Sequence, residues 1–429
     1  MANIKSYPKY KESGLQWIKN IPEHWEVKKL KIFSNVQASN VDKKVVEDET
    51  PVLLCNYVDV YYNDKINSQI DFMKATAKEE QIPKFTLRKD DVLITKDSES
   101  PTDIAVPTWV EEDLEGVLCG YHLSLIRPNC HEMNGRYLYY SFETSGIKEQ
   151  FWANANGVTR FGLSKDSINN ALFFVPPLEE QKQIVYYLNE EISKIDSLIF
   201  EKKKIIKLFQ EKKRSLVLEV VTKGLNPNSK MRESDIKWIG KIPEQWQIIK
   251  LKYLAHMKSG ETITAEKIHE VGDYPVFGGG GLRGYTSDYT HNGEHVLIGR
   301  QGALCGNIKF AKDKFWASEH AVVVSANQGV NINWLGLLLE SMNLNQYSVS
   351  AAQPGLSVST IKNLLVPVPP KEEQQLISDF LQEKNTDIEE IINLTKQQIK
   401  ELEEYRQSLI YEAVTGKIDV RDYEISFVS

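Results

Sequence analysis

The sequence predicts an α+β chain: two mixed α/β domains in a pseudo-two-fold tandem repeat, separated by two long helices that form a coiled coil. Three observations predict it. "IPEHW" at 21–25 returns as "IPEQW" at 242–246. "VPPLEEQKQI" (175–184) returns as "VPPKEEQQLI" (368–377). After each second block runs a long apolar ladder of helical period, and before each lies a middle that resembles its counterpart far less.

The echoes are long. "NIPEHWEVKKLK" (20–31) and "KIPEQWQIIKLK" (241–252) agree at seven of twelve places, at an offset of 221. The second pair agrees at seven of ten, at an offset of 193, and that offset reaches forward to "SLVLEVVT" (215–222) and "SLIYEAVT" (408–415). It also reaches back to "GLS" at 162–164 and 355–357. The change of offset confines a 28-residue length difference to the middles. So long a unit is no solenoid repeat, whose periods run about 20–50 residues. The chain therefore divides into a first domain (1–174, start block 13–31), a helix (175–223), a linker and second domain (224–367, start block 234–252), a second helix (368–416) and a tail (417–429).

Length and composition agree with several cores. A chain of 429 residues exceeds one ordinary core, and 41% hydrophobic with 26% charged residues reads as globular. No apolar run approaches the ~20 residues that cross a bilayer, and "MANIKSYPKYKESG" lacks the apolar stretch of a signal peptide. Cys55, Cys119, Cys130 and Cys305 are scattered without a CxxC pair, as reduced thiols in a cytoplasmic protein would be. A net charge of −7 argues against indiscriminate coating of nucleic acid and leaves room for a local basic groove.

The two helices carry readable signals. Pro176-Pro177 and Pro369-Pro370 supply starts, with Glu179-Glu180 and Glu372-Glu373 complementing the dipole in the first turn. Gly224 and Gly416 follow the last apolar positions as C-terminal stops. Between them the first ladder runs Leu188, Ile192, Ile195, Ile199, Lys202, Ile206, Phe209, Lys213, Leu216, Val220. The second runs Leu381, Asn385, Ile388, Ile392, Thr395, Ile399, Leu402, Arg406, Leu409, Ala413 in the same register. A heptad sustained this long predicts a coiled coil, whose seam or partner-docking face holds Leu188, Ile192, Ile195, Ile199, Ile206 and Phe209 of the first ladder and Ile388, Ile392, Ile399, Leu402 and Leu409 of the second. Residues 178–223 carry ten Lys/Arg and eight Asp/Glu, net +2; residues 371–415 carry five and eleven, net −6. Opposite charge favours pairing of the two helices with each other, the alternative being that these charges are only solvated faces.

The middles are mixed. "PVLLCNYVDVYY", "KFTLRKDDVLIT" and "VLCGYHLSLIRP" read as β-like runs in the first, followed by a helical stretch over "GRYLYYSFETSGIKEQFW". The second shows "DYPVFGGGGLRGY", "EHVLIGRQG" and "HAVVVSA", then a helix over "NINWLGLLLESMNL".

Enzyme motifs do not survive inspection. "GGGLRG" (279–284) satisfies G-x-G-x-x-G, but turn and strand follow it rather than a helix; it reads as a glycine-rich turn or as close backbone approach to DNA. "HNGEH" (291–295) has the histidine spacing of a helical zinc site, yet Asn292-Gly293 marks a turn. Glu201-Lys202-Lys203 matches a nuclease-like ExK but lies inside the ladder. There is no G-x-x-x-x-G-K-[ST] loop and no N/D-P-P-Y/F methyltransferase motif.

Two variable middles, two helical blocks opening "PP-x-EEQ" and start blocks of the form "W-I-x-x-IPE-x-W" resemble the specificity subunit (HsdS) of type I restriction–modification systems, over essentially the whole chain. "YPVFGGGGLRGYTSDY", "VLIGRQGALCGNI" and "FWASEHAVVV" resemble one type of target-recognition domain in that family, and "LRKDDVLITKDSES" another, departing from it in "KDSESPTD", where glycine is commoner. The resemblance implies that each middle reads one half of a bipartite double-stranded DNA site. It implies further that the helices pair antiparallel as a spacer and that two methyltransferase subunits dock on them. Restriction/translocase subunits would complete the complex, with S-adenosylmethionine, ATP and Mg on those partners and no cofactor, metal or catalytic residue in this chain. A protein-interaction scaffold that binds no DNA is the alternative.

Physics agrees with that implication. A bipartite site needs two readers at a fixed separation, and about 45 residues at ~1.5 Å each make a rod of roughly 65–70 Å. That suffices for successive major grooves ~34–36 Å apart. Base edges are read by Arg, Lys, Asn, Gln and acids in turn-rich segments. The candidates in the first middle are Lys96, Asp97, Ser98, Asn156, Thr159 and Arg160; in the second they are Gly280, Arg283, Tyr285, Arg300, Gln301, His320 and Gln353. The repeated "IPE-x-W" is expected to tie each domain to the rod through Trp25 and Trp246, with Pro22 and Pro243 fixing the approach. The alternative is that these tryptophans are local core.

Overall fold

The computed structural model describes residues 5–236, 238–302, 304–348 and 355–423. They fall into two units, 1–201 with 398–429, and 202–397. Each long helix is divided between the units near its middle, whereas the linear boundaries read from the sequence keep each helix whole.

In the first unit the strand Val92–Thr95, buried at every residue, lies between Leu123–Pro128 and Pro107–Val110, with Ser34–Ala38 and Lys65–Ile66 outermost. A run this apolar, Val92-Leu93-Ile94 before Thr95, suits a strand covered on both faces. A second sheet orders Met73–Ala77, Thr50–Cys55, Leu114–Cys119 and Thr86–Leu87. Leu93 and Leu125 of the first sheet share a core with Leu54, Val117 and Leu118 of the second.

Two local expectations are corrected here. "PVLLCNYVDVYY" is a strand only to Cys55; Tyr57–Tyr61 is a helix. Asn56 and Asp59 cap one another, and Tyr57 stacks on Tyr61 with ring centroids 5.6 Å apart, so side-chain bonding overrides β propensity. The stretch from Gly135 is two helices, Gly135–Phe142 and Ser145–Ala153. The Thr144 hydroxyl donates back to the Ser141 carbonyl at the break (2.7 Å), and Gly146 lies directly against the Trp17 ring.

The second unit has a sheet ordered Ala255–Ser259, Ala321–Ala326, His295–Gly299, Ile308–Ala311. Its Val296, Ile298, Val322 and Val324 share a core with Trp334, Leu335 and Leu338 of the helix Ile332–Ser341. A further sheet holds Gly281–Thr286, Tyr274–Gly278, Lys314–Ala317 and His291–Asn292. The glycine run is therefore a hairpin turn, and "HNGEH" crosses a turn at Gly293 (φ +105°) between strands. Neither has the helix its enzyme reading requires.

The long helices are Leu178–Lys223 and Lys371–Val414. In the first unit Leu188, Ile192, Ile195, Ile199, Ile399 and Leu409 are buried; in the second, Ile388 and Ile392 are. Ile206, Phe209 and Leu402 are only half-buried. Seam residues covered by their own chain offer no docking face. Within the first unit Arg406 meets Asp196 (3.4 Å); within the second Lys213 meets Glu389 (2.5 Å). These are the same two repeat positions, and rising numbers on one helix face falling numbers on the other. The helices are antiparallel. Among the described residues no helix is long and apolar enough to cross a membrane.

The repeated blocks fasten each domain to its helices. Glu26–Lys29 pairs antiparallel with Leu172–Val175, and Gln247–Lys250 with Leu365–Val368, so each start block is laced to the strand that leads into a helix. The amide of Gln181 spans the junction: its oxygen accepts from the Asn134 N–H (2.8 Å) while its nitrogen donates to the Pro176 carbonyl (2.8 Å). Gln374 does the same with Asn331 (3.0 Å) and Pro369 (3.1 Å). Asn134 and Asn331 cap corresponding helices of the two domains, so "EEQ" ties a domain helix to the long helix. Trp25 and Trp246 are fully buried and bond to Glu180 and Glu373, the second acid of each motif.

Candidate nucleic-acid interface

The first unit gathers its predicted residues at one end of the central strand. Lys96, Asp97 and Ser98 follow Thr95, and the segment 156–162 comes back across them: Asp97 pairs with Gly162, Ser98 with Phe161, and Asn156 with Gly162. The Lys96 carbonyl accepts from the Leu163 N–H at 2.8 Å. Asp97 is the hub. Its Oδ1 accepts from Nε and Nη2 of Arg160 (3.1 and 2.5 Å), and its Oδ2 lies 2.8 Å from Nδ1 of His122. Lys96 Nζ donates to the Ser39 carbonyl (3.1 Å) over the Tyr121 ring, and burial lowers its pKa below the ordinary lysine value. Ser98 is buried, and its Oγ accepts from the Ser100 N–H (3.3 Å). Thr159 and Arg160 stand at the mouth of a pocket of about 430 Å³ shared with Tyr57, Tyr61, Asp97 and Asp103. Tyr61 donates to the Asp103 carboxylate (3.0 Å), a bond that raises the phenol's pKa.

The second unit builds a counterpart. Arg300 and Gln301 follow the strand His295–Gly299; Arg300 Nη1 donates to Ser259 Oγ (3.2 Å), and Gln301 Oε1 lies 2.9 Å from His320 Nδ1. The segment from Gly355 returns as in the first unit, with Gln301 bridged to Gly355 and the Leu356 N–H donating to the Arg300 carbonyl (2.9 Å). The glycine hairpin closes over this group. A Cβ on Gly279 would stand 3.0 Å from the His320 carbonyl oxygen and 3.4 Å from that of Gln301, so a side chain there would be a tight fit. Gly280 is exposed at the tip, and Arg283 folds its chain back against Gly278. Tyr285 is not part of the group: it pairs with His269 farther along the hairpin (2.8 Å). Gln353 lies outside the described residues.

Superposed by strand register, the two groups coincide. Thr95 pairs with Leu123 as Gly299 pairs with Ala321, and the next N–H, of Lys96 or Arg300, donates to the carbonyl of His122 (3.1 Å) or His320 (2.9 Å). A cation, an acceptor side chain and a histidine therefore occupy the same three places in both units: Lys96, Asp97 and His122; Arg300, Gln301 and His320. His122 escaped the sequence reading. Its signal is "GYHLSLI" against "SEHAVVV", at an offset of 198 that neither repeated block carries. Among the described residues no cluster of His, Cys, Asp and Glu could hold a metal ion.

The family described as the type I restriction modification DNA specificity domain matches residues 22–208 and 243–404. The chain belongs to this family. Each match covers one repeat, from its start block into its long helix, so this DNA-recognising specificity subunit carries two specificity domains in tandem. The specificity subunit of the type I restriction enzyme EcoprrI of Escherichia coli is 48% identical over 134 residues, 30% of this chain and 33% of that one. That of MjaVIII of Methanocaldococcus jannaschii is 24% identical over 446 residues, 96% of this chain and 98% of that one. A chain solved in work on complex assembly and conformational transition of the type I R-M system superposes with a TM-score of 0.71 at 17% identity, covering 92% of this chain and 99% of that one. That likeness shows a shared fold.

Proposed function

We propose that each unit reads one half of a bipartite double-stranded DNA target and that the antiparallel helices set the unread spacer between the halves. Two methyltransferase subunits dock on the helices, where Leu198, Phe200, Leu208, Ile391 and Leu394 are exposed apolar residues without a role in the seam. Restriction/translocase subunits complete the complex, and S-adenosylmethionine, ATP and Mg act on those partners. This chain supplies recognition alone, in the cytoplasm where the DNA is. The observation that carries the reading is the matched trio in the two units, each at the end of a central strand with polar groups exposed beside it. Two readers of different side chains on one frame are what a two-part, asymmetric target needs. The test is an electrophoretic mobility shift of the chain assembled with its methyltransferase partners. Genomic duplex carrying the methylated motif should compete at far lower concentration than random duplex of equal length. Equal competition would favour a scaffold without sequence reading.

A further inference from the structure

We infer that Arg160 reads a guanine in the half-site of the first unit, held in reading position by Asp97 and His122. This rests on the proposal that the unit contacts DNA.

A guanidinium has five N–H donors in a planar fork. Asp97 Oδ1 takes the Nε donor and one from Nη2 (3.1 and 2.5 Å), while the His122 ring nitrogen lies 3.2 Å from Nη2 and bonds to the other Asp97 oxygen. Nη2 is thereby occupied by Asp97 and His122, while both donors of Nη1 have no partner among the described residues and the side chain is 57% exposed. Those two donors, on a guanidinium already oriented, can be offered to O6 and N7 of guanine in the major groove. Both Asp97 oxygens are engaged and that side chain is only 16% exposed, so Asp97 is a positioning residue rather than a reader of cytosine. His122 is positioned in turn by its backbone carbonyl on Lys96 and by its ring against Tyr121, centroids 4.3 Å apart.

The surroundings favour a base over a phosphate. Asp97, Glu99 and Asp103 line the pocket beside Arg160, and a phosphate there would meet three carboxylates. The edge of a base carries no net charge. A pinned arginine also has less rotamer freedom to lose on binding, which is where a buttress improves discrimination. The sequence of the second unit differs at this place: 193 residues beyond Arg160 stands Gln353, and the hub there is the neutral Gln301.

The test uses the full chain with its modification subunits and begins from the methylated motif of the wild type. Duplexes with 7-deazaguanine at each guanine of the first half-site remove one N7 at a time. Wild-type binding should fall about 5- to 100-fold at a single position. Arg160→Ala should be insensitive to that replacement and should methylate sites with any base there, the other half-site unchanged. Arg160→Lys and Asp97→Asn should relax the same position, the second because it frees the fork. Indifference of the wild type to every deaza substitution, or relaxation at an A·T pair, would overturn the guanine assignment while leaving DNA reading intact. A wild-type assembly that methylates no defined motif would instead remove the reading on which the inference stands.

Discussion

The indole N–H of Trp25 donates to Glu180 Oε1 at 2.8 Å, joining a start block to the first turn of a long helix 155 residues away. Trp246 repeats the bond to Glu373 at 2.9 Å. Glu180 also receives the Tyr7 hydroxyl (2.6 Å) and lies 2.7 Å from His24 Nε2. Both tryptophans further cover the glycine that ends the other long helix: Trp25 lies beside Gly416, and Trp246 beside Gly224. One side chain thereby closes the end of each antiparallel pair within its unit.

Removing the donor while keeping an aromatic ring isolates that bond. Trp246→Phe should destabilise the second unit by about 1.5–3 kcal/mol, the range for a hydrogen bond to a charged partner. Trp25→Phe should cost less, because Glu180 retains Tyr7 and His24. Trp→Ala at either site adds a cavity and should cost about 3–5 kcal/mol. Urea unfolding followed by circular dichroism measures all four variants, and a Trp246→Phe protein as stable as the parent would refute the role given to the bond.

Gly416 and Gly224 end the long helices at φ +70° and +76°. A Cβ on Gly416 would collide with the Pro22 ring, and one on Gly224 would come within 2.7 Å of Glu373 Oε1. Gly14 shares the conformation (φ +76°) with nothing within 4 Å. Gly14→Ala should therefore cost only the left-handed backbone penalty, about 1–2 kcal/mol, and Gly416→Ala distinctly more. Equal melting temperatures for the two variants would contradict the close packing.

The helices as spacer give a geometric prediction. Seven residues added to both keep the apolar seam in register and lengthen it by about 10.5 Å, near three base pairs at ~3.4 Å. The unread spacer of the methylated motif should grow by two to four base pairs with both half-sites unchanged. Adding the heptad to one helix alone should weaken assembly instead. A functional, doubly lengthened subunit that kept its original spacer would refute the ruler.

Much of this was legible because the constant blocks have jobs that fix residue identity. Tryptophan offers Glu180 a donor on the largest ring, and the glutamine amide has the reach to accept from Asn134 while donating to Pro176. The middles obey weaker rules. Their strands need apolar character rather than particular residues, so the correspondence of His122 with His320 emerges only once Leu123 and Ala321 are seen in the same register. Tyr57–Tyr61 was misread for a related reason: β-branched and aromatic residues look like strand until the Asn56–Asp59 cap is known. Sequence alone could not show that Tyr285 pairs with His269, apart from the Arg300 group, or that Ser98 is buried.

The central claim is that each unit reads its own half of the target. Its most direct test replaces residues 32–160 with the corresponding middle of a related specificity subunit and maps methylated bases in cells carrying the hybrid. The start blocks, the Trp25–Glu180 bond and the helices remain, so the complex should assemble as before. One half-site should change to that of the donor while the other half stays as it was. A hybrid whose motif is altered in both halves would contradict independent reading by the two units.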